Sequence, residues 1–206
     1  MEHTIRDDTG RRHRHKYENS NLIHQLVLGR FLDAVSAEIA ALPNGRTLDF
    51  GCGEGLFLTE LRKRGVLFDD LTGIDLREDA LLEARALLPE HRFVKADLLT
   101  FEPEAGPYDL VIASQVLEHL PHPERFLKKL VALAAGPLLL TVPFEPWFRL
   151  MNLARGRDIR RLGNHPEHIN LWGKSGFRKL VEAHATIRKI DTVFPFIIVV
   201  AEKTVE

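Results

Sequence analysis

The chain has 206 residues, 45% hydrophobic and 28% charged, and carries a formal net charge of −1. That length suits one domain with a core on two sides, and the balanced charge excludes a wholly basic module for nucleic acid or anionic membranes. The single cysteine, Cys52, excludes an intrachain disulfide and the multi-cysteine zinc patterns, and points to a reducing, cytoplasmic setting.

Residues 1–16 are charged, histidine-rich and without periodicity, and read as a flexible tail rather than a signal peptide. From Asn19 or Ser20, apolar residues recur as Leu22, Ile23, Leu26, Val27, Phe31, Val35 and Ile39, which is helical spacing ended by Pro43-Asn44-Gly45. Short apolar runs then alternate with helices. Strands are predicted at Thr47–Phe50, Leu71–Ile74, Arg92–Lys95, Tyr108–Ala113 and Pro137–Val142, with helices at Leu56–Arg64, about Glu78–Leu88 and from Pro123. After an irregular stretch, 144–172, come a helix near Ser175–His184 and two β-rich runs, Thr186–Val193 and Phe196–Glu202. The longest apolar run, Phe194–Ala201, is too short to span a bilayer. Strands apolar on both faces and alternating with helices predict a doubly wound, mostly parallel α/β sheet in one domain, 17–206.

The segment Leu48-Asp-Phe-Gly-Cys-Gly-Glu-Gly55 takes a strand through a glycine turn straight into a helix. Such a turn lets the backbone approach a ligand and offers it helix N–H groups; a tight turn with no ligand is the alternative for the glycines taken alone. In the dinucleotide pattern G-x-G-x-x-G/A the third small residue falls on Leu56, which counts against a nicotinamide or flavin enzyme. Asp75 closes the second strand about 20 residues further on, where a carboxylate holding a ribose diol is expected, although a helix N-cap explains it too. Asp97 closes the third strand and suits an adenine amino group or a simple turn. Three such features at successive strand ends favour a nucleoside crevice.

With Asp49-Phe-Gly-Cys-Gly-Glu-Gly55, Gly73-Ile-Asp75, Ala96-Asp97-Leu98 and Tyr108-Asp-Leu-Val-Ile112 in order, the chain resembles the class I S-adenosylmethionine-dependent methyltransferases. Val116-Leu-Glu-His-Leu-Pro-His-Pro123 resembles the type 11-like subgroup, which includes ubiquinone-pathway enzymes. The resemblance implies a Rossmann-like, seven-stranded sheet with its last strand antiparallel and a helical N-terminal cap. It implies S-adenosylmethionine as cofactor and S-adenosylhomocysteine as product. Asp49, Gly51, Gly53 and Gly55 would meet the amino-acid end, Asp75 the ribose, Leu76 and Asp97 the adenine with the Leu98 backbone beside it, and Ser114, with Ala113, the methionine moiety. Catalysis then needs mainly in-line positioning of the acceptor. For an oxygen acceptor His119 is the candidate base, with bracing of its turn as the alternative.

The stretch 144–172 is read as the acceptor-site insertion. It sets Arg149, Arg155, Arg157, Arg160 and Arg161 against Glu145, Asp158 and Glu167, among Trp147, Phe148, Leu150, Met151 and Leu153. That suits an acceptor both apolar and anionic; a solvated basic helix with one buried face is the alternative. Candidate acceptor contacts are Tyr17, Arg149, His165 and His168. The last two, with Glu118 and His119, resemble the metal site of small-RNA 2′-O-methyltransferases, but Gln115 stands where that pattern has its first glutamate, so no metal is assigned. The expected partner is a small molecule resembling a lipid, quinone or glycan precursor. An RNA methyltransferase and a non-catalytic binding protein are the alternatives; nucleic acid is disfavoured by charge. The amphipathic stretch Trp147–Leu153 is compatible with contact at a membrane surface, and nothing in the sequence addresses oligomeric state.

Overall fold

The computed structural model of the chain describes residues 22–154 and 169–204. Its elements in order are α1 (Leu22–Ala40), β1 (Arg46–Phe50), α2 (Leu56–Lys63), β2 (Asp70–Asp75), α3 (Glu78–Leu87), β3 (Arg92–Lys95) and β4 (Leu110–Ser114), then a 3₁₀ turn (Leu117–His119). They continue as α4 (Pro123–Leu133), β5 (Leu138–Pro143), α5 (Trp147–Ala154), α6 (Lys174–Glu182), β6 (Thr186–Val193) and β7 (Phe196–Glu202). The seven strands form one sheet in the order β3-β2-β1-β4-β5-β7-β6. Every pairing is parallel except those of β7, which runs antiparallel to β5 and to β6.

The predicted elements form, with shifts at their ends. The fourth strand starts at Leu110, because Tyr108 leaves the ladder for a single parallel bridge to Ala134. The 3₁₀ turn, one turn long, has no counterpart among the predicted elements, whereas α5 forms on the amphipathic stretch Trp147–Leu153, in the segment whose alternative reading is a helix with one buried face.

Alternate residues of each central strand feed two separate cores, which is why these strands read as unbroken apolar runs. On one face Leu48, Val111, Ala113, Leu138, Leu140, Ile197 and Val199 pack with α4 and α6. On the other Leu110, Ile112, Leu139, Ile198 and Val200 pack with α1, α2 and α3. Helix α1 buries Leu28, Phe31, Leu32, Val35 and Ile39 there, with the Phe31 ring 4.4 Å from that of Phe196. Among the described residues no helix is long and apolar enough to cross a membrane.

The layer on the α1–α3 side presses close to the end of β2. A Cβ at Gly73 would stand 2.6 Å from the Phe93 ring and 2.9 Å from the Cys52 sulfur, inside any tolerable contact. A Cβ at Gly29, inside α1, would meet nothing within 4 Å. Gly73→Ala therefore lowers unfolding free energy by about 1–3 kcal/mol through overpacking. Gly29→Ala raises it by roughly 0.5–1 kcal/mol through helix propensity. Urea denaturation of both variants checks the opposite signs.

Candidate functional site

Strand order reverses between β1 and β4, whose neighbours β2 and β5 lie on opposite sides. In an open parallel sheet the loops beyond the strand ends part at such a point and leave a crevice. The carboxyl ends of β1, β2, β4 and β5 carry Asp49, Asp75, Ser114 and Thr141 to it.

The turn after β1 is left-handed three times: Gly51 has φ 71°, Gly53 53° and Gly55 71°. A side chain at Gly51 would also strike Val116, 2.7 Å away on the segment after β4. Nothing lies within 4 Å of a Cβ at Gly53, so the backbone there faces open space. The turn is fastened to β2, since the amides of Gly51 and Cys52 donate to the Ile74 carbonyl at 2.8 and 3.2 Å.

Asp75 completes the fastening. One carboxyl oxygen accepts from the Gly53 amide and the other from the Arg77 amide, each at 2.9 Å. The capping expectation for Asp75 is corrected: α3 opens at Glu78 with Arg77 in the cap position and no side-chain cap bond, so the Asp75–Arg77 bond is a short turn ahead of the helix, and each oxygen of the half-buried carboxyl keeps a further lone pair. Beside it buried Glu54 pairs with Arg77 at 2.5 Å, tying the turn to the start of α3. Sequence reasoning assigned no role to Glu54 or Arg77. The signal was the Glu in the glycine motif, but its partner 23 residues away is visible only in three dimensions.

Asp49 is 2% exposed, and no described residue donates a hydrogen bond to its carboxyl. Burial and, next, the charge of Asp75 push its pKa from 3.8 to about 8. The same burial and the same two carboxyls push the Cys52 thiol far up, which keeps it protonated and inert as a nucleophile. Leu76 stands 65% exposed next to Asp75. The Asp97 carboxyl accepts from the Leu99 amide at 2.9 Å and is exposed, whereas the Leu98 side chain lies in the core and its carbonyl accepts from the Phe101 amide at 3.3 Å.

At β4 the Ser114 hydroxyl lies 2.9 Å from Thr141 Oγ1, which also accepts from Gln115 Nε2 at 3.2 Å. Gln115 is the one described non-glycine residue with positive φ, 58°. That conformation costs on the order of 1 kcal/mol, and the bond from its amide to the Thr141 carbonyl at 3.0 Å holds it. In the turn that follows, Leu117 and Glu118 are buried while the His119 side chain is 29% exposed. His119 Nε2 lies 3.9 Å from Glu118 Oε1, beyond hydrogen-bond length.

The insertion 144–172 is closed at its base. The Glu145 amide donates to the Trp172 carbonyl at 2.9 Å, and the Phe144 amide to that of Pro195 at 2.8 Å. Burial raises the pKa of the Glu145 carboxyl against the opposing effect of the Arg149 amide and charge. Trp147, Leu150, Leu171 and Phe194 remain exposed around this base, with Trp147 edge-on to Phe194. Arg149 lies on α5, whereas Tyr17, His165 and His168 lie outside the described residues. A separate hollow of about 410 Å³, lined by Leu58, Arg62, Leu88 and His91 among others, shares no residue with the crevice.

Residues 13–184 match the model of the methyltransferase domain family. A trans-aconitate 2-methyltransferase of Sinorhizobium medicae is 43% identical over 104 residues, 50% of this chain and 40% of the relative. A ubiquinone biosynthesis O-methyltransferase of Bordetella avium is 34% identical over 108 residues, 50% of this chain and 43% of the relative. The chain thus spans about two fifths of the length of these curated relatives. The magnesium protoporphyrin IX methyltransferase of Synechocystis, solved with S-adenosylhomocysteine bound, superposes with a TM-score of 0.70 at 21% identity, covering 95% of this chain and 94% of that one. With the glycine turn, the Asp75 clasp and the seven-stranded order already in place, the chain belongs to the methyltransferase domain family and has the seven-stranded fold of the class I S-adenosylmethionine-dependent members.

Proposed function

We infer that this chain methylates an oxygen of a small, partly apolar and anionic acceptor bound beneath the 144–172 insertion. The observation that carries the reading is the Asp49 carboxyl, which is buried beside Asp75 with no hydrogen-bond donor from the described residues. A buried carboxyl next to a second one gains most from a cation brought in by a ligand. S-adenosylmethionine carries a sulfonium and an ammonium and supplies an electrophilic methyl group; its product is neutral at sulfur. In this reading Gly51 and Gly53 let the backbone approach that ligand, Asp75 accepts from the ribose hydroxyls, and Leu76 and Asp97 flank the adenine.

The acceptor side rests on chemistry of the same kind. His119 is a partly exposed imidazole on the turn that follows β4 and, in this reading, takes the proton of a hydroxyl acceptor. Exposed Trp147, Leu150 and Phe194 offer apolar contact, and Arg149 on α5 offers a positive charge for a carboxylate. One relative is named for trans-aconitate, a polycarboxylate, and another for O-methylation in ubiquinone biosynthesis. Both names support an oxygen acceptor of modest size.

Three outcomes follow from these assignments. Calorimetry with S-adenosylmethionine gives micromolar-range binding that weakens tenfold or more in Asp75→Ala, about 1.4 kcal/mol; a preference for NADH sinks the cofactor side. Without ligand, the neutral Asp49 carboxyl is favoured in the fold, so its contribution is full below pH 3.8 and is lost as pH climbs through about 8. The melting temperature of the wild type should therefore fall between pH 5 and 8.5 relative to that of Asp49→Asn, and parallel curves would show an ordinary carboxyl. Finally, labelled methyl transfer is screened against phenolic quinone precursors and polycarboxylates including trans-aconitate. For a hydroxyl acceptor His119→Ala lowers kcat by about 10²–10⁴-fold, and an unchanged rate removes His119 from proton transfer.

A further inference from the structure

Just before the segment closes on Glu145 through Trp172, residues 169 and 170 bind the His119 turn. The amides of Ile169 and Asn170 both donate to the Glu118 carbonyl, at 2.9 and 3.0 Å. The Asn170 side-chain amide donates to the carbonyls of Leu120 at 2.6 Å and Leu117 at 3.3 Å. Three carbonyls of the Leu117–Leu120 stretch are thus held by two residues about fifty positions away. The backbone bonds of the turn itself are short-range, from the His119 amide to Val116 and from the Leu120 amide to Leu117, at 3.0 and 3.2 Å. A single 3₁₀ turn of that kind has poor bond geometry and little stability of its own.

We propose that Asn170 is a positioning residue whose side-chain amide clamps the Leu117–Leu120 turn and so fixes the His119 ring at the crevice mouth. The proposal rests on the reading of His119 as the base. Its consequence is that the acceptor-side insertion, and not β4 alone, sets where the proton is taken. Leu117 and Glu118 are sunk in the protein, so the turn presents His119 outward only while its carbonyls stay in this arrangement. Asparagine suits the place because its two amide protons meet two carbonyls at once. Aspartate has the same shape but sets an anionic oxygen against both. A hydroxyl as short as that of serine restores at most one bond. A displacement of about 1 Å at a reacting group is enough to cost on the order of 100-fold in rate.

The test uses the ligand-free, full chain, so it does not depend on the cofactor or acceptor assignments. Amide hydrogen exchange and the NMR titration of the His119 ring are compared in wild type, Asn170→Asp and Asn170→Ser. Exchange at His119 and Leu120 rises about tenfold or more in Asn170→Asp, and the His119 midpoint moves, while β1 and β2 exchange as before. Asn170→Ser lies between the two and serves alone if the aspartate variant does not fold. An unmoved His119 midpoint with unchanged local exchange overturns the proposal. So does a uniform rise across the whole sheet, which marks a residue of general structural use. Methyl transfer that survives His119→Ala removes the base assignment and leaves the exchange result at the turn standing, so the two readings fail separately.

Discussion

A backbone that passes through three left-handed residues at the end of a buried strand does not hold that path by itself. The Asp75 carboxylate supplies the restraint, accepting from Gly53 on the turn and from Arg77 at the head of α3. Charge-assisted bonds of this type are roughly twice as strong as neutral ones. Because β1 and β2 pair in register from Arg46–Asp70 to Phe50–Ile74, the turn and the aspartate arrive at the same level of the sheet. The crevice floor, the Glu54–Arg77 pair and the opening of α3 all depend on that one group.

The same economy creates an electrostatic load. Asp49, Asp75 and Glu54 gather at the ends of two adjacent strands, and Arg77 is already engaged by Glu54. Asp49 meets the load by holding its proton to unusually high pH. A cationic ligand in the proposed site would relieve it by charge pairing instead, coupling occupancy to protonation at this carboxyl through a single Coulomb interaction. Cys52, enclosed by the same acids, contributes packing against Gly73 and no reactivity.

The second half of the site is built by contacts of long sequence separation. Thr141 on β5 orders Ser114 on β4 and the left-handed Gln115 just after it. Trp172 closes the insertion on Glu145 and packs its ring 5.4 Å from that of Phe177 in the core. Asn170 then links the closed insertion to the turn bearing His119. The segment that carries α5 and the turn that bears His119 are therefore joined, although α5 and His119 belong to different crossovers.

Much of this was legible in the sequence, for physical reasons that differ by region. Buried strands flanked by helices leave apolar runs and periodic stripes, so the α/β order and most element ends were readable within a residue or two. The glycine turn and Asp75 were readable because left-handed backbone and a strand-end carboxylate each demand a narrow choice of residue. Sequence also fixed the family, through motifs spaced along β1 to β4. What it did not contain was the protonation of Asp49, which arises from burial under two cores and the nearness of Asp75. Nor did it contain the strain at Gln115 or the grip of Asn170 on the His119 turn. A glutamine after a strand and an asparagine in an irregular stretch have no periodic signature. Their roles come from hydrogen-bond partners 26 and about 50 residues away, and only the tertiary fold brings those partners within reach.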